Sequence, residues 1–367
     1  MLKRLVFLSA FLMLGGCAET PEILTLKPQQ FADLNGWETA DHSGGVAAFR
    51  QSCTAMMKKS PGNSLGKILD RAEYWQPACA AAENVPNSSA DAKAFFETYF
   101  APLKSMSSRR PDGLFTGYYE IELQGSRKKT KQYKYPVYMK PPPPLSGFTR
   151  AEIDCGALDG KGLELVWVDD AVKLFFMHIQ GSGIVHMKEG GYIRLGYDGQ
   201  NGQTYVALGR WLIDNGYLQK EDLNAPLIQA WLYNNPDLAE TAMQQNPSYI
   251  YFRMRNDLNP NEGPIGAQNV PLTPRRSLAV DKRFYGYGIP MWIQTQTPEF
   301  DNHPAADFNQ LLIAQDTGGA IRGAIRGDIF YGRGEQAEKL AGHTNERGNL
   351  WVLLPKALAA QYEETGK

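Results

Sequence analysis

The hydrophobic and polar positions along the chain predict helices and then strands in its first half. Between residues 45 and 99 apolar residues recur at spacings of three and four, as in amphipathic helices, and Pro77 and Pro86 interrupt the pattern. Beyond this region β-branched and aromatic residues dominate, with Gly, Pro and Asp between the runs. The predicted strands of this part are 115–123, 135–139, 163–168, 173–180 and 191–197.

The second half repeats this order, with helical periodicity over residues 203–245 and a β-rich tail after residue 248. The tail is rich in the same types of residue, β-branched and aromatic, as the strand predicted at 115–123. The pattern therefore predicts a mainly β fold with α-helices (α+β), in which both chain ends form one core around an inserted middle domain. The predicted elements of the tail are strands 249–254, 278–280, 290–296, 309–315 and 349–354 and a helix at 355–363.

The first residues have the composition of a secretory signal. A short cationic start precedes the apolar run 5–14, which is too short to span a bilayer, since a spanning helix needs about 20 apolar residues. The junction Leu14-Gly15-Gly16-Cys17 resembles a bacterial lipobox, in which Cys17 receives the lipid. An ordinary signal peptide with an incidental cysteine is the alternative. The predicted segments are a signal peptide (1–16) and a lipidated tether (17–30).

The residue after the lipidated cysteine carries sorting information. Ala18 stands there rather than Asp, and by resemblance to the sorting rules of bacterial lipoproteins this implies the outer membrane. Several acyl chains on one cysteine give a durable anchor, whereas a single chain binds only marginally. We therefore expect the protein on the periplasmic face of the outer membrane.

Length and charge narrow the class of protein. A chain of 367 residues exceeds what one hydrophobic core usually supports, so two domains are expected. The formal net charge of −1 argues against nucleic acid as a partner, because nucleic-acid binders carry a concentrated basic face. The five histidines are scattered without zinc-site spacing, so no metal is expected.

Three cysteines remain once Cys17 carries a lipid. Cys53 and Cys79 could close a loop in a disulfide, which an oxidising compartment permits. Cys155 is then expected to be a buried or half-buried thiol.

Two carboxylates in a glycine-rich stretch are the candidates for chemistry. Asp316 precedes a Gly-Gly turn, and Asp328 follows twelve residues later among apolar and aromatic neighbours. Such surroundings disfavour the charged form of a carboxyl group and raise its pKa, which suits a general acid, and an ionised neighbour acts in the same direction. The alternative from the residues alone is that both aspartates cap turns.

Together with other motifs, this stretch closely resembles the three-aspartate domain of the membrane-bound lytic murein transglycosylase A family. The motifs run from about residue 110 to residue 335, and with the N-terminal signal they cover most of the chain. One departure is that Glu120-Ile121 follows Tyr119 where Glu-Pro is expected, outside the acid/base motif. The motifs are 115–119 (FTGYY), 178–183 (HIQGSG), 246–249 (NPSY), 252–253 (FR), 277–281 (SLAVD), 285–288 (YGYG) and 314–332.

The resemblance implies a fold and a chemistry. The fold is a double-psi β-barrel domain formed by 31–123 and 263–367, a second, β-barrel-like domain inserted over 124–262, and a glycan groove between them. Lytic transglycosylases cleave the β-1,4 bond between N-acetylmuramic acid and N-acetylglucosamine without water, because the muramoyl C6 hydroxyl attacks its own C1 and leaves a 1,6-anhydro ring. The nucleophile belongs to the substrate, so one carboxyl group suffices as acid and then base.

The resemblance also implies roles for individual residues and for partners. No metal or organic cofactor is implied. The partners are peptidoglycan glycan strands, the outer membrane through the lipid anchor, and complexes with cell-wall synthases. The implied site residues are Asp328 as the catalytic acid/base, Asp316 and Asp281 as supporting carboxylates, and Tyr118, Gln180 and Ser182 as substrate-binding residues.

Three other functions stay open at this point. A glycan hydrolase would use Asp316 and Asp328 as a two-carboxylate pair. A non-catalytic, expansin-like module would bind peptidoglycan without cutting it. An aspartic protease is suggested by Asp316-Thr317-Gly318, but it needs two such aspartates sharing a proton, and the chain has no second D-T-G or D-S-G.

Overall fold

The computed structural model describes residues 20–259 and 261–365, which form a mixed α+β structure dominated by sheet. The helices are α1 (Ser43–Met56), α2 (Gln76–Ala82), α3 (Ser89–Tyr99), α4 (Arg150–Asp154), α5 (Ala171–Gln180), α6 (Leu208–Asp214), α7 (Ala225–Asn234), α8 (Pro236–Gln244), α9 (Glu335–His343) and α10 (Lys356–Thr365). The strands are β1 (Leu24–Pro28), β2 (Phe100–Ser107), β3 (Gly113–Ser126), β4 (Tyr135–Tyr138), β5 (Glu164–Val168), β6 (Ser182–Met187), β7 (Tyr192–Gln200), β8 (Ile250–Met254), β9 (Ser277–Val280), β10 (Pro290–Thr297), β11 (Ala306–Asp316), β12 (Arg326–Arg333) and β13 (Asn345–Pro355).

Most predicted strands and helices lie where the sequence pattern puts them, but the strand predicted over 173–180 is wrong. These residues form α5. Asp170 caps the helix, since its Oδ1 accepts the Lys173 N–H at 2.9 Å, and Gly181 ends it at a φ of +81°. The run 174–177 is apolar without interruption and buried, so the residues there resemble a buried strand as much as a helix.

Strands from both chain ends lie in one sheet. Its order is β1-β2-β13-β10-β11-β9-β12-β3-β6-β7-β8, with β5 beside β3 and β4 beside β5. β13 pairs with β2 and β10 and also with the start of β3. The predicted association of the two chain ends is therefore present as strand pairing.

The 14-residue strand β3 joins two groups of strands. Residues 114–120 pair with β12, whereas residues 121–125 pair with β6 in the middle part of the chain. The change of partner falls between Glu120 and Ile121. Side chains just before this point are therefore held by the terminal segments, and those just after it by the middle segment.

A core of aromatic rings fixes the helices of the first hundred residues against the sheet. Phe49 of α1 contacts Phe100 at the start of β2 with ring centroids 5.5 Å apart, and Trp37 contacts Trp292 of β10 at 5.0 Å. All four side chains are fully buried, and such rings dominate core energetics because each buries a large apolar area. This core supports β10 and β11, the second of which ends at Asp316.

The N-terminal segment is more ordered than the sequence suggests. The signal peptide, Cys17 and Ala18 lie outside the described residues. The predicted tether is wrong for residues 24–28, because these form β1, which pairs antiparallel with β2 from Leu24↔Ser107 to Pro28↔Leu103. In the part of the chain that the structure describes, each helix is too short or too polar to cross a membrane.

Cys53 of α1 and Cys79 of α2 form a disulfide with Sγ atoms 2.03 Å apart. Both side chains are buried, so the bond ties the two helices together inside the core. Cys155 is exposed, which corrects the expectation of a buried or half-buried thiol.

Replacing both Cys53 and Cys79 with Ala is expected to lower the free energy of unfolding by about 3–4 kcal/mol. The bond links residues 26 positions apart and closes a loop in the unfolded chain. Removing it increases the conformational entropy of the unfolded chain, which lowers the free energy of unfolding by that amount. Urea unfolding of the wild type and the double variant, each with and without reductant, measures the effect. Reductant should destabilise the wild type to the level of the variant and leave the variant unchanged; equal stability under all conditions would contradict the prediction.

Candidate active site

Four neighbouring strands place polar side chains in one row across the sheet. Asp316 of β11 pairs with Ala279 of β9, Ala279 pairs with Asp328 of β12, and Asp328 pairs with Thr116 of β3. Adjacent strands are about 4.8 Å apart, so the Cα atoms of the two aspartates are about 10 Å apart. The small Ala279 side chain stands between them.

Both carboxyl groups point to the same face of the sheet. Thr116 and Tyr118 lie two residues apart on β3 and therefore on one face. Thr116 bonds Asp328, and Tyr118 bonds Asp316. A register shift between Ala314 and Asp316 turns Asp316 onto this face, as bulges near active sites do.

Asp328 lies in a hydrogen-bonded series with Thr116 and Arg326. The Arg326 Nη2 donates to Thr116 Oγ1 at 2.7 Å, and the Thr116 hydroxyl donates to Asp328 Oδ1. Because Thr116 accepts from the cation, its single proton is directed at Asp328. Burial raises the pKa of Asp328, and the Arg326 guanidinium and the Thr116 bond oppose only part of this effect.

Asp316 is surrounded by donors. Its Oδ2 accepts the Tyr118 hydroxyl at 2.9 Å, and its Oδ1 accepts the backbone N–H groups of Ala267 and Thr317, each at 2.9 Å. Burial raises the pKa of Asp316 to about 6; the three hydrogen bonds lower it, and the charge on Asp328 adds to the rise. The two carboxyl groups therefore influence each other's ionisation.

Hydrogen bonding distinguishes the two carboxyl groups. Each partner of Asp316 is a donor, so both of its oxygens act as acceptors, as in the ionised form. Asp328 accepts through Oδ1, and no hydrogen bond from a described residue reaches its Oδ2. Two interacting carboxyl groups titrate as a pair, and this geometry favours the proton on Asp328 Oδ2 and the charge on Asp316.

An apolar wall lies beside the pair, and both carboxyl groups remain half-buried. Tyr118, Leu272, Ala279, Ile321 and Phe330 form one buried cluster, and the rings of Tyr118 and Phe330 are 5.3 Å apart between centroids. This wall removes water from around the carboxyl groups, which is the physical cause of their raised pKa values. It also keeps the Tyr118 hydroxyl neutral, because burial raises the pKa of that group well above its usual value.

Asp281 lies beyond the end of β9 and is fully buried beneath the loop 317–325. Its Oδ2 accepts from the Arg283 side chain at 2.6 Å and from the Gly323 N–H at 2.8 Å. Burial alone would raise its pKa, but these hydrogen bonds outweigh burial and lower it. Asp281 is therefore an ionised support for the loop between Asp316 and Asp328.

Of the three residues expected to bind substrate, Tyr118 is the one that bonds a carboxylate of the pair. Gln180 instead accepts the backbone N–H of Tyr119 at its Oε1, at 3.1 Å. This hydrogen bond holds β3 next to the point where its pairing with β6 begins. Ser182 is a buried side chain at the start of β6, paired with Gly196 of β7. Among the described residues, neither Gln180 nor Ser182 has a hydrogen bond to Asp316 or Asp328.

Sequence analysis did not identify Thr116 and Arg326. A strand prediction over 326–333 could have found them, because residues two apart on a strand share a face and Arg326 would then lie beside Asp328. The role of Glu120 was missed for another reason, because its partner lies 74 positions away in the sequence. It forms a bidentate ion pair with Arg194 of β7, both side chains 2% exposed, and this bond connects β3 to the middle segment.

Within residues 20–259 and 261–365, no three His, Cys, Asp or Glu side chains are grouped closely enough to hold a metal ion. The arrangement consists of one carboxyl group with a free oxygen, one fully bonded carboxylate and an apolar wall. Such a site is suited to proton transfer.

Comparison with known proteins gives matches over most of the chain. The MltA specific insert domain matches residues 114–253, and the 3D domain matches residues 276–354. Membrane-bound lytic murein transglycosylase A of Vibrio cholerae is 29% identical over 358 residues, which cover 96% of this chain and 95% of that protein.

Solved structures are also similar to this chain over most of its length. The crystal structure of a membrane-bound lytic murein transglycosylase from Agrobacterium tumefaciens is similar with a TM-score of 0.81 and 30% identity, covering 92% of this chain and 99% of that chain. The crystal structure of MltA from Neisseria gonorrhoeae is similar with a TM-score of 0.74 and 33% identity, covering 91% of this chain and 93% of that chain.

Proposed function

We propose that the chain, which belongs to the family of membrane-bound lytic murein transglycosylase A, cleaves peptidoglycan with Asp328 as its single acid and base. It is a lytic murein transglycosylase, which cuts the bond between N-acetylmuramic acid and N-acetylglucosamine. The observation that carries the assignment of Asp328 is its unbonded Oδ2 beside an Asp316 whose oxygens are held by three donors.

The reaction needs one proton to move twice. Asp328 Oδ2 donates its proton to the glycosidic oxygen as the bond from that oxygen to the muramoyl C1 breaks. The C6 hydroxyl of the same muramoyl residue then bonds to C1, and its proton passes to Asp328 Oδ2, which restores the starting state. No water is consumed, since the nucleophile is part of the substrate.

Asp316 and Thr116 support this cycle. A negative charge on Asp316 favours the neutral form of Asp328 before the reaction, and it stabilises the positive charge that develops on the sugar ring. The Thr116 hydroxyl occupies Oδ1, so the mobile proton is confined to Oδ2. Arg326 keeps the Thr116 hydroxyl in this orientation through its bond to Oγ1.

The alternative functions fit the site less well. In a hydrolase Asp316 would have to bind and activate a water, but both of its oxygens already accept hydrogen bonds from protein donors. An expansin-like binding module has no use for a carboxyl group whose pKa is raised by burial. An aspartic protease needs its two aspartates bonded to a shared proton. In this site the oxygens of Asp316 instead accept hydrogen bonds from Tyr118, Ala267 and Thr317.

Digestion of peptidoglycan by the detergent-solubilised full chain tests this function. Products analysed by mass spectrometry should be lighter by one water than the corresponding hydrolysis products, and they should contain no ¹⁸O when the digestion is run in H₂¹⁸O. Reducing ends labelled with ¹⁸O would establish a hydrolase. Binding to peptidoglycan without any product would leave the expansin-like module.

We infer the finer architecture from the strand pairing. β13, β10, β11, β9, β12 and β3 each pair with the next, and β13 pairs back to β3, which supports a six-stranded double-psi barrel built from 31–123 and 263–367. The partner change within β3 supports an inserted domain over 124–262. The face that carries Asp316 and Asp328 would then open into a groove between the two domains, where the glycan strand binds.

The protein is associated with a membrane, as the names of its relatives state, and we infer a lipid on Cys17 and a position on the periplasmic face of the outer membrane. The lipobox-like junction and Ala18 support this inference. From that position the enzyme reaches peptidoglycan strands directly, and cell-wall synthase complexes acting on the same strands are the protein partners that we propose.

A further inference from the structure

The loop 317–325 connects the two carboxylates, and its final part is held from outside the loop. It leaves β11 after Asp316, crosses the end of β9, where the Thr317 hydroxyl donates to the Val280 carbonyl at 2.8 Å, and enters β12 just before Asp328. Ile321 packs into the apolar wall on the way. The position of this loop therefore affects both the wall and the start of the strand that carries Asp328.

The backbone of Ala324 is bonded at both of its polar groups. Its N–H donates to Glu22 Oε1 at 3.0 Å, and its carbonyl accepts the Tyr285 hydroxyl. The Ser105 hydroxyl of β2 in turn donates to the Tyr285 hydroxyl oxygen. Ala324 is fully buried, so its N–H must find an acceptor within the protein.

Glu22 comes from a distant part of the sequence, just ahead of β1. Its Oε1 also accepts the Ser107 hydroxyl of β2 at 2.6 Å, which fixes the side chain that holds Ala324. The Arg283 side chain, which bonds Asp281, lies near enough to Glu22 for their charges to attract. Asp281 itself accepts the N–H of Gly323, the residue before Ala324. The carboxylates of Asp281 and Glu22 therefore hold two successive backbone N–H groups, those of Gly323 and Ala324.

We propose that Glu22 is a positioning residue of the active site, which sets the geometry of Asp328 by holding the Ala324 N–H. The inference rests on the proposed function of Asp328. The segment that leads from the membrane anchor is in this view part of the catalytic structure as well as a connection. Asp328 follows Ala324 by four residues, so release of Ala324 displaces the start of β12, and small misplacements of a catalytic group are costly.

Glu22→Ala in the detergent-solubilised full chain is expected to lower kcat for anhydro-product release about tenfold, with KM within about twofold of the wild type. Substrate binding is unaffected because Glu22 lies behind the loop. Glu22→Gln retains an Oε1 that can accept from Ala324 and Ser107, so it should restore kcat to within about twofold. Glu38→Ala is the matched control, since its exposed carboxylate bonds Lys93 of α3, and it should leave kcat unchanged.

Thermal unfolding of the same proteins separates positioning from general stability. The unfolding temperature of Glu22→Ala should fall by no more than about 5 °C, because only one buried N–H group loses its acceptor. Ser107→Ala, which frees Glu22 without removing it, should lower kcat by a smaller factor of about three.

Three outcomes would overturn the inference. They are wild-type kcat in Glu22→Ala, equal loss of kcat in Glu22→Ala and Glu22→Gln, and a kcat loss accompanied by a large fall in unfolding temperature. Failure of the proposed function is separate, because then the wild type itself releases no anhydro products.

Discussion

Asp328→Asn is expected to lower kcat for the release of 1,6-anhydro products about 10³- to 10⁴-fold, the upper part of the range for loss of a general acid and base. The Asn side chain has the same shape and its Oδ1 still accepts from Thr116, but it holds no transferable proton. Substrate binding should persist, because the apolar wall and the remaining hydrogen bonds are intact. Mass spectrometry of timed peptidoglycan digests measures the rate, and co-sedimentation with peptidoglycan measures binding.

Asp307→Asn is the matched control for this substitution. Asp307 is exposed on β11, opposite Gln296 of β10, so the same chemical change is made in the same sheet but away from the wall. Its kcat should equal that of the wild type. If Asp328→Asn retained more than about a tenth of wild-type kcat, the single acid/base mechanism would be wrong.

Asp316→Asn is expected to lower kcat about 10- to 100-fold and to change the pH dependence. A rate that requires protonated Asp328 falls as the pH rises through the pKa of that group. Loss of the neighbouring negative charge lowers this pKa, so the alkaline fall in kcat should begin at a lower pH than in the wild type. Wild-type pH dependence in the variant would show that Asp316 has no influence on the acid.

The same substitution should stabilise the fold at neutral pH. The folded-state pKa of Asp316 is raised from 3.8 to about 6, so the stability linked to its proton is present below about pH 4 and is lost as the pH rises through about 6. Asn does not titrate and retains this stability. Urea unfolding at pH 8 should therefore show the variant more stable by up to about 3 kcal/mol, with no difference at pH 4.

The pattern of residue types along the chain predicted those strands whose residues suit the place that they take in the fold. The strand β3 was predicted because aromatic and β-branched residues at 115–123 suit a half-buried sheet. The carboxylate pair was identified because apolar residues surround Asp328 in the sequence, and one of them, Phe330, belongs to the wall in space. Most other members of the wall come from distant parts of the chain.

The sequence pattern missed the strand β12, which forms because strands from distant parts of the chain pair with it. β12 contains Gly327 and Gly332, which weaken a strand in isolation. It forms because β3 and β9 bond it on both sides, and Gly327 is needed there because a Cβ would come within 2.9 Å of Phe115 and Leu278. The helix α5 was missed for a different reason, since a short apolar run such as 174–177 does not distinguish a buried strand from a buried helix segment.

The role proposed for Glu22 had no sequence signal. It and Ala324 are 302 positions apart, and Glu22 lies within the segment that the sequence assigned to a tether. A hydrogen bond between such distant residues depends on how β1 and β2 align, which spacing along the chain does not encode.

With the lipid that we propose on Cys17, the bond between Glu22 and Ala324 would limit how far from the lipid bilayer this enzyme can work. Glu22 follows Cys17 by five residues, and an extended chain covers at most about 3.5 Å per residue, so a lipid on Cys17 would keep the catalytic loop within about 17 Å of the bilayer surface. An enzyme with the lipid that we propose on Cys17 could diffuse sideways, but it could not rise away from the membrane. Only glycan that runs in this thin layer would be cut.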